Sequence, residues 1–294
     1  MPVVPVVLFA AALHASWNAI VKSVTDRAWL VALIGAATAT LAVPLAILAV
    51  APARAAWAAI GVSTVLHVTY NLMLVAIYRA GDYNQVYPVA RGTAPPAVAI
   101  ASVLLVGERL SPEQVIGLLV LSGGLLTLAV GRRGSSRAVG LAVLTGLLIA
   151  GYTVIDGIGV RHAHSVLGYA GWLFLGEGAA TALVLWGSGV RRGRAAGVRS
   201  RSEPVPGVSG PALKKSGRDV VWRAVAAAAL SLAAYMLVLW AQEHGGLAVV
   251  AALRETSVVF AAVLGAYVFD EGMPSRRIAA SVLVAAGAAA LALG

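Results

Sequence analysis

Two arginines stand where arginine is least expected. The stretch "VYPVARGTAPPAVAIASVLLVGERL", residues 86–110, carries Arg91 inside an apolar run, and "VVAALRETSVVFAAVLGAYVFDEGM", residues 249–273, carries Arg254. A charge at the centre of a bilayer costs at least about 2.5–3.5 kcal/mol, so each guanidinium must face a partner or a hydrated cavity. Arg91 therefore has two readings: it binds a carboxylate or phosphate on a solute, or it forms a structural ion pair with an intramembrane acid such as Glu177. Arg254 stands beside Glu255, which favours a local or interhelical pair. Tyr83, Tyr87 and Arg91 recur at i, i+4 and i+8, one stripe of a helix. Pro88, Pro95 and Pro96 are expected to interrupt that helix, freeing carbonyls that must be satisfied or must line a cavity.

Other polar groups repeat the pattern. His14, Asn18 and Lys22 share one helical stripe with Trp17 beside it; His67, Asn71 and Tyr78 form another, with Tyr70 nearby. Facing one interior, these stripes would make a partly hydrated pocket with aromatic walls, into which His14, Trp17 and Asn71 are expected to point. The bland alternative is interhelical hydrogen bonding, worth about 0.6 kcal/mol each. Lys22 reads as a snorkelling helix end. Glu177, in "LFLGEGAATALVL", is the first candidate for a carboxylate that takes up and releases a coupling proton, and Asp156, in "YTVIDGIGV", the second. For Glu177 the competing role is partner to an arginine. Glu108 and Glu271 read as structural helix-end residues that accept from amides of the following helix. Ser111 and Pro112 are placed to cap and begin that helix after Glu108.

Ten apolar segments must position these groups. Of 294 residues, 60% are hydrophobic and 12% charged, about half the charge of a soluble protein. Runs of about 20 residues span roughly 30 Å of hydrocarbon. They lie at about 3–22, 28–50, 55–78, 83–106, 113–130, 139–160, 167–188, 221–242, 247–269 and 275–293. The first is read as a retained span, since no basic segment precedes it and polar residues interrupt it. With no cysteine, disulfides, thiolate metal sites and cysteine nucleophiles are excluded. No phosphate-cradling loop, zinc-protease helix or nucleophile elbow occurs, which argues against ATP hydrolysis, and no clustered set of catalytic groups is evident, so an enzyme is not expected. No cofactor or metal is expected.

The net charge of +10 is unevenly placed. Sixteen basic residues, from Lys22 through the loop 189–219 to Arg277, fall on one side of a ten-span arrangement; Arg54, Arg109 and Arg161 fall on the other. The positive-inside rule puts the richer side in the cytoplasm, and with it the long Gly-, Ser-, Pro- and Arg-rich loop, and both termini outside. No aromatic residues interleave the basic ones, so nucleic acid is not an expected partner. Expected partners are the lipid bilayer of the plasma (inner) membrane and a small-molecule solute, with a homodimer left open.

A shift of 163 residues pairs Arg91 with Arg254, Thr93 with Thr256, Glu108 with Glu271 and Gly124 with Gly287. A slightly different offset sets "YNLMLVA", 70–76, against "YMLVLWA", 235–241. The chain thus reads as two five-helix repeats, 1–131 and 132–294. Because five is odd, the second copy enters the membrane from the opposite side. Such inverted repeats underlie alternating access in many transporters.

At these residues a resemblance emerges. "GERLSPEQVIGLLVLSGGLLTL" and "DEGMPSRRIAASVLVAAGAAALAL" resemble the ends of EamA-type repeats, and "ALHASWNAIVK", with Trp17, is similar to that family's first helix. EamA proteins form a large family within the drug/metabolite transporter superfamily. The resemblance implies a ten-helix secondary transporter, most often an exporter of amino acids or other small metabolites, with both termini in the cytoplasm. That last implication opposes the charge count. The expectation is an all-α membrane protein that exports a small polar metabolite such as an amino acid by alternating access, with possible proton coupling. The alternative is a flippase for a lipid or lipid-linked headgroup on the same fold. Bound solute is expected at His14, Trp17, Asn18, His67, Tyr70, Asn71, Tyr87, Arg91 and Arg254.

Overall fold

The computed structural model describes residues 3–24, 27–80, 83–129, 136–187, 217–268 and 274–294. Glu271 and nearly all of the loop 189–219 lie outside these residues, as do the side chains of Tyr78 and Tyr83.

The apolar runs fold as helices: α1 Val3–Lys22, α2 Arg27–Leu48, α3 Trp57–Ala80, α4 Tyr83–Val106, α5 Pro112–Thr127, α6 Ser136–Arg161, α7 Val166–Gly187, α8 Gly217–His244, α9 Leu247–Arg254, α10 Ser257–Val268 and α11 Ser275–Leu293. α9 and α10 together make one span, so the described residues form nine helical segments long and apolar enough to cross a membrane, with α5 a shorter apolar helix beside them. Large side chains such as Leu104, Leu105, Ile116, Leu183 and Val282 face outward. An apolar surface of this kind is unstable in water and needs lipid around it. The protein is a multi-pass helical membrane protein.

Packing follows an exchange rule between the halves. α1 packs on α8 as α6 packs on α3; α1 packs on α9–α10 as α6 packs on α4; α2 packs on α8 as α7 packs on α3. Two pairs straddle the axis itself, α2 with α7 and α5 with α11. Glycine is required at both crossings. A Cβ on Gly117 would lie 2.7 Å from the Gly287 carbonyl oxygen, and one on Gly124 would come 2.7 Å from Leu283 Cβ and 3.3 Å from the Ala280 carbonyl oxygen. Under the 163-residue shift, Gly117 maps to Ala280 and Gly124 to Gly287, so the two contacts interchange. Contacts that climb α5 while descending α11 also make the helices antiparallel. The α2–α7 crossing behaves alike, with Gly35 on Gly178 and Gly171 on Ala46. Helices five apart run in opposite directions, as inverted repeats require. Small residues permit these approaches, since without a hydrophobic driving force in lipid, close backbone packing supplies the attraction.

One expectation about α4 fails. Pro88, Pro95 and Pro96 sit inside a single continuous helix. Its mate breaks instead, at Glu255–Thr256, with no proline present. There the Glu255 N–H donates to Ala252 O and the Thr256 N–H to Leu253 O, the tighter i→i−3 pattern. The Thr256 hydroxyl donates to the same Leu253 carbonyl at 2.7 Å, so a side chain competes for the helix's own acceptor.

Candidate functional site

A cavity of about 120 Å3 lies between the repeats, well above the ~10–15 Å3 that one water needs. α1 contributes His14, Trp17 and Asn18; α3 contributes His67, Tyr70 and Asn71; α4 and α9 contribute Arg91 and Arg254. Glu177 comes from α7. Of the residues expected from sequence to bind solute, eight share this wall. Tyr87 is set behind it, in a smaller recess next to Arg91. The Arg91 guanidinium carbon is 5.5 Å from the Tyr87 ring centroid, as the i, i+4 spacing implies.

The two arginines have different partners. Arg91 is 3% exposed, and its Nε lies 2.8 Å from Glu255 Oε2, a close approach of charges rather than an aligned hydrogen bond. Its Nη2 donates to Ser257 Oγ at 2.7 Å. Neither Glu177 nor a local Arg254 pair is involved: Glu255 crosses to the opposite repeat. The break after α9 explains this, because it releases Glu255 and Ser257 from the direction α9 would have given them. Arg254 is 4% exposed and has no carboxylate within ion-pair distance among the described residues. Its guanidinium carbon lies 5.9 Å from the Tyr152 ring centroid, and its Nε has no hydrogen-bond partner.

Glu177 occupies a different wall. Asn71 Nδ2 donates to its Oε1 at 2.7 Å and to Thr181 Oγ1 at 3.3 Å, so a carboxamide from α3 fixes the carboxylate of α7. Near α1, Trp17 Nε1 donates to His14 Nδ1 at 3.3 Å, and Asn18 Nδ2 donates to the His14 carbonyl at 2.8 Å. These bonds are local to α1, and all three residues line the cavity. Tyr152, Phe174 and Tyr235 complete the aromatic lining. His67 stacks on Tyr152 at 4.0 Å between centroids, and Tyr235 meets His67 edge-on at 5.4 Å. Sequence reasoning did not select Tyr152 or Tyr235 as site residues. The signals were present: Tyr235 matches Tyr70 in the repeat, and Tyr152 lies one turn before Asp156.

Asp156 does not line the cavity. It is fully buried behind it, accepting from Tyr169 OH at 2.9 Å and Tyr235 OH at 2.5 Å.

Beyond the cavity, one end is closed by a polar cluster. Gly107 adopts a positive φ of 74°, a conformation open to glycine, and this turn directs Glu108 toward α9. Glu108 Oε1 accepts from the Leu247 N–H at 2.6 Å and Oε2 from the Ala248 N–H at 3.3 Å. It caps the start of α9 in the other repeat, not α5 as expected. α5 has its own capping box, with Ser111 and Gln114 in reciprocal hydrogen bonds, so the nearer helix has no need of Glu108. Arg161 lies 3.5 Å from Glu108 and donates to the Gln242 and Gly245 carbonyls at 2.9 and 2.7 Å. At the other end Val21, Val31 and Leu74 carry the lining toward the side of Lys22.

Comparison with known proteins agrees with this architecture. Residues 136–293 match the model of the EamA-like transporter family. A solved crystal structure is similar at a TM-score of 0.70, with 17% identity over 99% of this chain and 95% of that one, a likeness of fold. No curated protein matches the chain.

Proposed function

The chain belongs to the EamA-like transporter family, and from that premise we propose that it is a secondary transporter exporting a small zwitterionic metabolite, such as an amino acid, by alternating access. The observation that carries this reading is Arg254. It is a buried guanidinium at the cavity wall with no carboxylate within ion-pair distance among the described residues and with an Nε that no acceptor meets, and a buried charge whose hydrogen bonds are incomplete is disfavoured. A solute carboxylate would satisfy it. The carboxylate of Glu177, oriented by Asn71, would take the solute's ammonium group. Aromatic faces of Trp17, Tyr70, Tyr152 and Tyr235 would enclose the remainder.

The roles of the two arginines thus divide. Arg254 binds, while Arg91 holds Glu255 and Ser257 and so fixes the broken span on which Arg254 sits. Export is the direction that the resemblance to EamA exporters implies, and the lining reaches toward the basic side, which the charge asymmetry assigns to the cytoplasm.

Uptake and counterflow of radiolabelled amino acids in proteoliposomes test the reading. A charge-assisted hydrogen bond contributes about 1.5–3 kcal/mol, so Arg254→Ala should weaken apparent affinity roughly ten- to hundredfold with the protein still monodisperse. Arg254→Lys should recover part of the loss. Efficient transport of an uncharged solute, indifferent to Arg254→Ala, would overturn the proposal.

A further inference from the structure

Behind the cavity, four helices converge on one carboxyl group. Asp156 of α6 has no exposed surface, accepts from Tyr169 of α7 and Tyr235 of α8, and has His67 Nε2 of α3 at 3.9 Å from Oδ2. The tautomer of His67 follows from its other nitrogen. Nδ1 lies 3.0 Å from the Ser63 carbonyl oxygen and 3.1 Å from Ser63 Oγ; the carbonyl can only accept and the hydroxyl can do either, so a hydrogen on Nδ1 is the arrangement that satisfies both contacts. In the neutral ring with that hydrogen Nε2 is a bare lone pair, 3.9 Å from a carboxylate oxygen. Two acceptors held face to face in buried space repel unless a proton resides on one of them.

We infer that Asp156 and His67 together form a proton-binding site that supplies the coupling ion of the transport cycle. The step is a plain proton exchange. Nε2 of His67, whose ring lines the cavity, accepts a proton from water there, and Asp156 balances the imidazolium charge. The proton then passes to Oδ2, leaving the imidazole neutral and the carboxyl uncharged. Release reverses the path, with no bond other than N–H or O–H made or broken. The tyrosine that Asp156 holds, Tyr235, is itself in the cavity wall, so losing or gaining the carboxylate's charge alters a group the solute would touch. This inference deepens the transport proposal and rests on it for the word coupling, not for the proton.

The surrounding groups are few. α3 presents His67 and Ser63; α7 presents Tyr169 and, further off, Glu177; α8 presents Tyr235. On α6 itself Tyr152 lies one turn earlier, with Arg254 of α9 beyond its ring. Tyr87 and Arg91 of α4 lie on the Arg254 side of Tyr152, and Arg91 is committed to Glu255. Glu177, the first sequence candidate for coupling, is tied to Asn71 and opens directly onto the cavity. A solute ammonium group can reach it there, whereas none can reach Asp156.

Two measurements on the full-length protein in lipid decide the matter. Infrared difference spectroscopy between acidic and alkaline buffer should show a protonated carboxylic C=O band that vanishes in Asp156→Asn. In His67→Gln the band should remain, with its midpoint displaced by about one pH unit or more. The second variant keeps the test alive if the first misfolds. A band unchanged in Asp156→Asn, or a midpoint unmoved in His67→Gln, would overturn the site. In proteoliposomes, Asp156→Asn should retain amino-acid counterflow while losing at least tenfold in accumulation driven by a pH gradient. Retained gradient-driven accumulation would overturn the coupling role. If no amino acid is carried even by the unaltered protein, the transport proposal fails while the infrared result still stands on the proton site.

Discussion

Arg91 and Arg254 are equivalent by position and unequal by environment, and that inequality is written into neighbouring residues. Shifting Glu255 and Ser257 back by 163 gives Gly92 and Ala94. The second repeat carries an acid and a hydroxyl where the first carries none, so one arginine can be neutralised and its mate cannot. Which arginine receives them was not legible, because that depends on the break at Glu255–Thr256 turning both side chains across the pseudo-axis. The consequence is a separable pair of phenotypes. Removing one partner of a buried ion pair costs about 3–5 kcal/mol, so Arg91→Ala should lower the thermal denaturation midpoint of the detergent-solubilised protein markedly. Arg254→Ala should leave that midpoint nearly unchanged while losing solute binding. Replacing both Arg91 and Glu255 with Met and Leu should return much of the stability, because the cost lies mainly in the charge left behind. Equal destabilisation by Arg91→Ala and Arg254→Ala would contradict this division.

At the scale of helices, apolar length and repeat spacing foretold the apolar helical segments well, since both are properties of the local chain. Contacts between repeats were less accessible. Glu108 follows α4 directly and precedes a helix that welcomes an acid, so local logic assigns it to α5; the structure gives it to α9, 139 residues away. The three prolines of α4 misled for a related reason. Each removes one hydrogen bond, but neighbouring helices hold the segment in line: α6 approaches α4 so closely that a Cβ on Gly146 would lie 2.7 Å from the Ala90 carbonyl oxygen. The glycine crossings make a quantitative prediction. Gly117→Leu and Gly287→Leu would each force apart α5 and α11, at about 1–3 kcal/mol or more. Gly123→Leu, where an added Cβ meets nothing within 4 Å, should be near neutral. Thermal unfolding of the three variants in one detergent would check the order.

For the molecule as a whole, the alternating-access proposal makes the closure at Glu108 and Arg161, and the lining that extends past Val21 and Val31, one of two states of the carrier. Alternating access in inverted repeats exchanges the conformations of the halves about the axis, so an element that closes one side must give way in the other state. The cluster linking Glu108, Arg161, the Gly245 carbonyl and the first amides of α9 is the element to break. Loss of such a cap costs about 0.5–2 kcal/mol, enough to shift a balanced equilibrium by about twofold to thirtyfold. The chain has no cysteine, so single cysteines can report the shift directly. Val31→Cys should react with a membrane-impermeant maleimide from the side of Lys22, and Gln242→Cys, now fully buried, should not react from either side. Adding Glu108→Ala should slow labelling of Val31→Cys and expose Gln242→Cys from the opposite side. The same vesicles fix orientation: charge asymmetry predicts that the Val31 side is cytoplasmic, and labelling only from outside intact cells would reverse it. If Gln242→Cys stays protected with Glu108 removed, the cluster is a helix cap alone and the gate lies elsewhere.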